Sequence, residues 1–136
     1  MTFSRCLLII FIAGCAGATA HSPKLSPNGP VLDRHEDPIV TDGDKYKMIL
    51  ENDRVRVLRY EDQPGDKTHQ HYHRPFVLYA LSAFRRRLIF PDGTTKERDF
   101  LPGEVIWMPA QIHTGENIGH TATKVIIVEI KEKGSP

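Results

Sequence analysis

From Tyr46 onward the chain offers no window of about a dozen residues that keeps a helical repeat. It runs instead through short stretches rich in Val, Ile, Leu, Tyr and Phe, separated by the turn signals NDR, QPGD, PDGT, LPGE and NIGHT. This pattern predicts strands at 46–51, 54–62, 67–73, 76–83, 86–90, 95–100, 104–108, 111–118 and 122–131. Many short strands without helices make a β-sandwich, a jelly roll or a small barrel, because closure of that kind removes exposed sheet edges. In RVRVLRY, Val55 and Val57 alternate with Arg54, Arg56 and Arg59, the pattern of a strand with one dry face. KVIIVEI, at 124–130, is a nearly continuous apolar run and is expected to be buried on both faces.

The first 20 residues read differently. MTFSRCLLIIFIAGCAGATA carries one charge, Arg5, an apolar run from Cys6 to Ala13 and a small-residue ending at Ala18-Thr19-Ala20. That is the layout of an export signal, too short for a spanning helix. Two processing sites compete: ATA before His21 suits an ordinary signal peptidase, whereas IAGC ending at Cys15 is similar to a bacterial lipobox, whose cysteine is lipidated. The protein is therefore expected to be exported, periplasmic or extracellular, with a lipid anchor at Cys15 as its only route to a membrane. Both cysteines, Cys6 and Cys15, fall in this segment, so the domain beyond it has no internal disulfide and rests on its packed core. Residues 21–44, with four prolines and two glycines, read as a flexible arm or tether. The domain proper is 45–132.

Charge excludes one class of partner. The chain has 18 basic and 17 acidic residues; losing Arg5 with the signal leaves 17 of each. No basic excess remains to match the phosphates of a nucleic acid.

The chemistry concentrates in DKTHQHYHRP, at 66–75. Pro64-Gly65 precedes it, Pro75 follows it, and Arg74 before proline is biased toward extended backbone, so the segment is a strand and not a helix. His69, His71 and His73 then share one face. Alternate residues on a strand lie about 6.6 Å apart, so His69 and His73 are separated by about 13 Å, and only an adjacent pair can converge on one metal. A pair needs help from elsewhere. His21 and His35 lie in the arm and His120 in the turn IGHT, whereas His113 follows a strand and precedes Asn117.

At this point the residues resemble a family, the cupins. Its first motif, a glycine, five residues and then His-x-His, is matched by Gly65, His71 and His73. Its second, a glycine, five residues, a proline, then a histidine and an asparagine, is matched by Gly103, Pro109, His113 and Asn117, with one residue fewer than usual between proline and histidine. ENDRVRVLRYEDQPGD, GEVIWMPA and ENIGHTATKVIIVEIK further resemble compact single-domain type-2 cupins labelled as β-alanine degradation proteins. The resemblance implies a double-stranded β-helix, a jelly-roll barrel, with a metal at its mouth. It selects His71 and His73 as the pair and adds His113 as the third ligand, leaving His69 at the rim or behind the ligands. It also exposes a departure: where cupins usually place a metal-binding glutamate, this chain has Val77 or Leu78. Three neutral imidazoles suit Fe, Zn, Cu, Ni or Mn and leave open positions for a ligand.

The function so implied is a metal-dependent enzyme of dioxygenase, isomerase or decarboxylase type acting on a small polar or carboxylate substrate; a non-catalytic metal- or ligand-binding module of the cell envelope is the alternative. Small cupins commonly dimerise, and the arm is suited to exchange between subunits, so a homodimer is expected. Tyr79, six residues beyond His73, is a candidate substrate contact if the strands run on without a break. Trp107 is expected in the core or pocket wall. Of Arg85 to Arg87, Arg86 should point opposite to its two solvated neighbours. Asn117 is expected to support a turn, and neither Glu104 nor Glu116 occupies the glutamate position of the motif.

Overall fold

The structure is a computed structural model and describes residues 37–132. The expected export signal at 1–20, with Cys15, and the expected arm as far as residue 36 lie outside the described residues. The last part of that arm, 37–44, carries a short helix, α1 (Pro38–Thr41), capped by the Asp37 carboxylate on the Ile39 amide. Pro38 and Asp42 are buried, so this stretch packs on the domain.

Nine strands follow among the described residues: β1 (Tyr46–Glu51), β2 (Val55–Asp62), β3 (His71–His73), β4 (Phe76–Ala80), β5 (Phe84–Ile89), β6 (Thr95–Phe100), β7 (Val105–Met108), β8 (Gln111–Asn117) and β9 (Thr123–Ile130). They form a five-stranded sheet in the order β1-β2-β9-β4-β7 and a four-stranded sheet in the order β3-β8-β5-β6, with every pairing antiparallel. Each expected strand is present, so the turn signals located the elements well. The third is shorter than expected because the backbone before it bonds elsewhere: the Thr68 amide donates to the Gly115 carbonyl and the His69 amide to the Asp42 carboxylate. Between β3 and β4 the chain changes sheets at Pro75.

The inner faces enclose a core of Tyr46, Leu58, Tyr60, Phe76, Ala80, Phe84, Phe100, Val125 and Ile127. Two burial expectations are corrected. On β2 the buried set is Leu58, Tyr60 and Asp62, with Arg56 on the same face and Val55 and Val57 on the other. Arg56 can turn inward because its guanidinium meets Glu129 at 2.7 Å and Asp37 at 2.5 Å. On β9, Thr123, Val125, Ile127 and Glu129 are buried while Ile126 and Val128 are only half-buried, so just one face is dry. The outer face nonetheless carries an apolar band, beside the charged Arg59, Glu61 and Lys124. The register aligns Leu50, Val57, Val128, Val77 and Trp107 in one row across all five strands. Trp107, expected inside, lies at the end of that row and is 59% exposed, because Ile106 and Met108 take the inward positions of β7.

Candidate metal centre

β3 and β8 pair so that His71 lies opposite His113 and His73 opposite Gln111. The motif glycines sit in the turns ahead of these strands, and the Gly65 amide donates to the Asn117 carbonyl at the end of β8. Gly65 and Gly103 both adopt positive φ, 87° and 85°, a conformation that a side chain would strain. The alternation of β3 sends His71 and His73 inward together, and β8 sends His113 to meet them. Ring centroids lie 4.8 Å apart for His71 and His73, 4.8 Å for His71 and His113, and 5.5 Å for His73 and His113. One nitrogen from each ring lies within 4.8 Å of the other two, and all three residues are buried.

Hydrogen bonds fix which nitrogens are available. His71 Nδ1 donates to the His69 carbonyl at 2.8 Å, which leaves the Nε2 lone pair facing inward, where the Tyr46 hydroxyl donates to it at 3.1 Å. His73 Nδ1 donates to the Glu129 carboxylate at 2.6 Å, freeing its Nε2 likewise. Burial, reinforced by the neighbouring His73, pushes His71 down to about 4. Burial and the same neighbours hold His113 well below the ordinary histidine range. Burial pushes the Tyr46 phenol upward, so it stays protonated and a donor. Burial opposes ionisation of Glu129, but hydrogen bonds from His73 and Arg56 overcome it and keep the carboxylate below its usual range.

A cavity of about 420 Å³ opens beside the histidines. His73, Gln111 and His113 line it at one end, and Phe76, Leu78, Ile106, Met108 and Ile127 supply its apolar wall. At the other end lies a second buried polar cluster. Arg86, with its side chain 11% exposed, bonds Asp62 at 2.7 Å and the Tyr60 hydroxyl at 2.9 Å and stacks on the Tyr60 ring. Tyr60 also donates to Asp62, and Asn117 donates to Asp62 at 3.0 Å and to the Thr121 carbonyl at 2.9 Å. Asn117 thus supports the following turn, as expected, and Arg86 points inward while Arg85 and Arg87 pair with Glu97 outside.

The three histidines fit a divalent transition metal. One nitrogen of each ring lies within 4.8 Å of the other two, burial disfavours protonation of His71 and His113, and His113 Nδ1 is buried without a hydrogen-bond partner. His69 is not with them: its ring is 80% exposed and bonds Asp42, and it reaches the centre only through its carbonyl. Tyr79 is corrected as a substrate contact. It is 42% exposed on the outer face of β4, because Pro75 breaks the strand and β4 belongs to the other sheet. Leu78 faces the cavity and Val77 the outer row, so neither supplies a carboxylate. Glu104 and Glu116 are engaged by Arg98 and Arg87. Sequence reasoning missed Tyr46 and Glu129. Glu129 had a signal, a lone acid at an inward position of the apolar run 124–130; Tyr46 had none, being 25 residues from the ring it touches.

No protein-family model and no curated protein matches the sequence. Solved structures do match. A cupin domain from Bordetella pertussis Tohama I aligns at 24% identity and a TM-score of 0.59, over 64% of this chain and 92% of that one. A conserved protein with a double-stranded β-helix domain from Klebsiella pneumoniae aligns at 16% identity and 0.52, over 67% and 78%. An RmlC-like cupin family protein from Methanocaldococcus jannaschii aligns at 15% identity and 0.50, over 62% and 77%. With a nine-stranded antiparallel barrel and both histidine motifs in place, the chain has the cupin fold, a small double-stranded β-helix.

Proposed function

We propose that this chain binds one divalent transition metal through His71, His73 and His113 and acts on a small substrate in the adjoining cavity. The carrying observation is that three buried imidazoles converge, two of them pinned by Nδ1 hydrogen bonds so that Nε2 keeps its lone pair, with that of His71 meeting the Tyr46 hydroxyl. An ion there supplies Lewis acidity, with positions left open by the missing carboxylate. The chain's own groups set the conditions. Glu129 and the His69 carbonyl orient the rings, Tyr46 holds a proton within reach of the centre, and the apolar wall keeps water out. Fe, Zn, Cu, Ni and Mn all suit such ligands; dioxygenase, isomerase and decarboxylase chemistry are the reaction types proposed.

One observation favours a second reading, a non-catalytic binding module: the buried acid nearest the centre, Glu129, is engaged by both His73 and Arg56 and is not free as a base. Titrating cobalt(II) into metal-free protein tests the shared premise. A visible absorption band that saturates at one equivalent supports the reading, and no band, or one unchanged in His113→Ala, overturns it.

Export remains the proposal for location, supported by the first 20 residues. The proposed partner is a second copy of the chain, docked on the row Leu50, Val57, Val128, Val77 and Trp107. Five strands spaced about 4.8 Å apart make a face roughly 20 Å wide, and an apolar row complements itself across a two-fold axis. Light scattering should report a dimer that Trp107→Lys dissociates; a monomeric wild-type protein would remove the proposal.

A further inference from the structure

Among the described residues three buried side-chain polar atoms lack a hydrogen-bond partner: Gln111 Nε2, His113 Nδ1 and Thr123 Oγ1. All three residues line the same cavity. Buried polar groups are nearly always paired, so each orphan asks for a ligand or a reason. His113 belongs to the metal centre. Thr123 lies six residues along β9 from Glu129, about 20 Å from the histidine end, beside Asp62 in the register. Gln111 is different, because it sits directly opposite His73 on the paired strand.

The other polar side chains of this wall are occupied. Tyr46 is held by His71, Tyr60 and Arg86 by each other and by Asp62, Glu97 by Arg85 and Arg87, and Arg98 by Glu104. Lys96 stacks on Phe90 and makes no ion pair among the described residues. Every other lining group near the histidines is apolar: Phe76, Leu78, Ile106, Met108 and Ile127.

We propose that Gln111 is a substrate-binding residue whose amide donates a hydrogen bond to the carboxylate of a small hydrophobic acid, with the apolar body of that acid lying along Leu78, Ile106, Met108 and Ile127. The donor chemistry selects an acceptor: the orphaned atom is an N–H, and the acids of the barrel already have partners, Glu129 and Asp37 in Arg56, Asp62 in Arg86 and Asp42 in His69, so the acceptor must come with the ligand. This deepens the metal-site reading by naming the substrate class, and it narrows the sequence expectation of a small polar or carboxylate substrate to a carboxylate with a hydrophobic body.

Phenylacetate is the probe, followed by nitrogen–proton correlation spectra of the full chain, zinc-loaded and metal-free. The Gln111 side-chain amide, identified by its absence in Gln111→Leu, should move downfield on adding phenylacetate and stay put with acetate. Gln111→Leu should weaken phenylacetate binding about tenfold or more with zinc content unchanged. Gln111→Glu, equal in shape but anionic, should abolish it, and both variants are checked for native zinc uptake. Binding to Gln111→Leu within about twofold of wild type, or acetate binding as tightly as phenylacetate, would overturn the assignment. If the protein takes up no zinc, the metal reading fails on its own; phenylacetate binding to the metal-free form with the Gln111 shift then still upholds the role of Gln111, and binding without that shift sinks it.

Discussion

The barrel holds two buried polar clusters, and they differ in completeness. At one end Arg86, Asp62, Tyr60 and Asn117 satisfy one another: Asp62 accepts from three donors, and the guanidinium is both paired and stacked. At the other end His71, His73 and His113 have their outer nitrogens tied down, in two cases of three, while lone pairs converge on a point where no proton is offered except by Tyr46. The first cluster needs nothing further and contributes to the fold. The second is held in an arrangement that a cation would complete. Within one interior, polar burial therefore carries two meanings, and the hydrogen-bond partners of the clustered side chains themselves separate them.

If that division is right, the closed cluster governs stability and the open one governs binding. Arg86→Leu should show it most strongly: it leaves Asp62 buried without its cation and should cost about 3–5 kcal/mol in chemical denaturation, while the folded fraction still takes up metal. Gly115→Ala is the milder version. A Cβ there would overlap Arg86 Nη2, a tip that Asp62 and Tyr60 prevent from swinging away, so the loss should be roughly 1–3 kcal/mol by the same measurement.

The open cluster responds to pH. His71 falls from an ordinary 6.5 to about 4 in the folded chain, and His113 is also lowered. Between those values the unfolded chain binds protons that the folded one refuses, so the metal-free protein should lose stability as pH falls from 6.5 toward 4. Lowering of Glu129 extends the loss below its ordinary 4.5. Denaturation midpoints measured across this range check the sign, and a rise on acidification would contradict it. The smallest effect belongs to His69→Ala. The carbonyl that orients His71 is backbone and survives, so metal content should stay near that of wild type by elemental analysis, and its loss would show that the His69 ring is a ligand.

Much of this was legible in the chain. Turn signals located all nine strands, and spacing with the two motifs picked out His71, His73 and His113. What the pattern could not supply was parity across a break and partnership at a distance. Pro75 moved β4 into the other sheet, which turned Tyr79 outward, and Trp107 took the outer position of its strand for want of any local signal. Arg56 went inward because acids from residues 37 and 129 met it there, reversing the face that Val55 and Val57 suggested. Tyr46 meets His71 across the two sheets, and Gln111 comes opposite His73 by strand pairing, contacts that no local pattern announces.

The central claim, a metal held by three histidines, is tested most directly by elemental analysis of the purified protein without an affinity tag, beside His71→Ala and His113→Ala. The account expects one transition-metal ion per chain in the parent and its loss in both variants, each still folded. A sub-stoichiometric metal content in the parent, unchanged by either substitution, would contradict it.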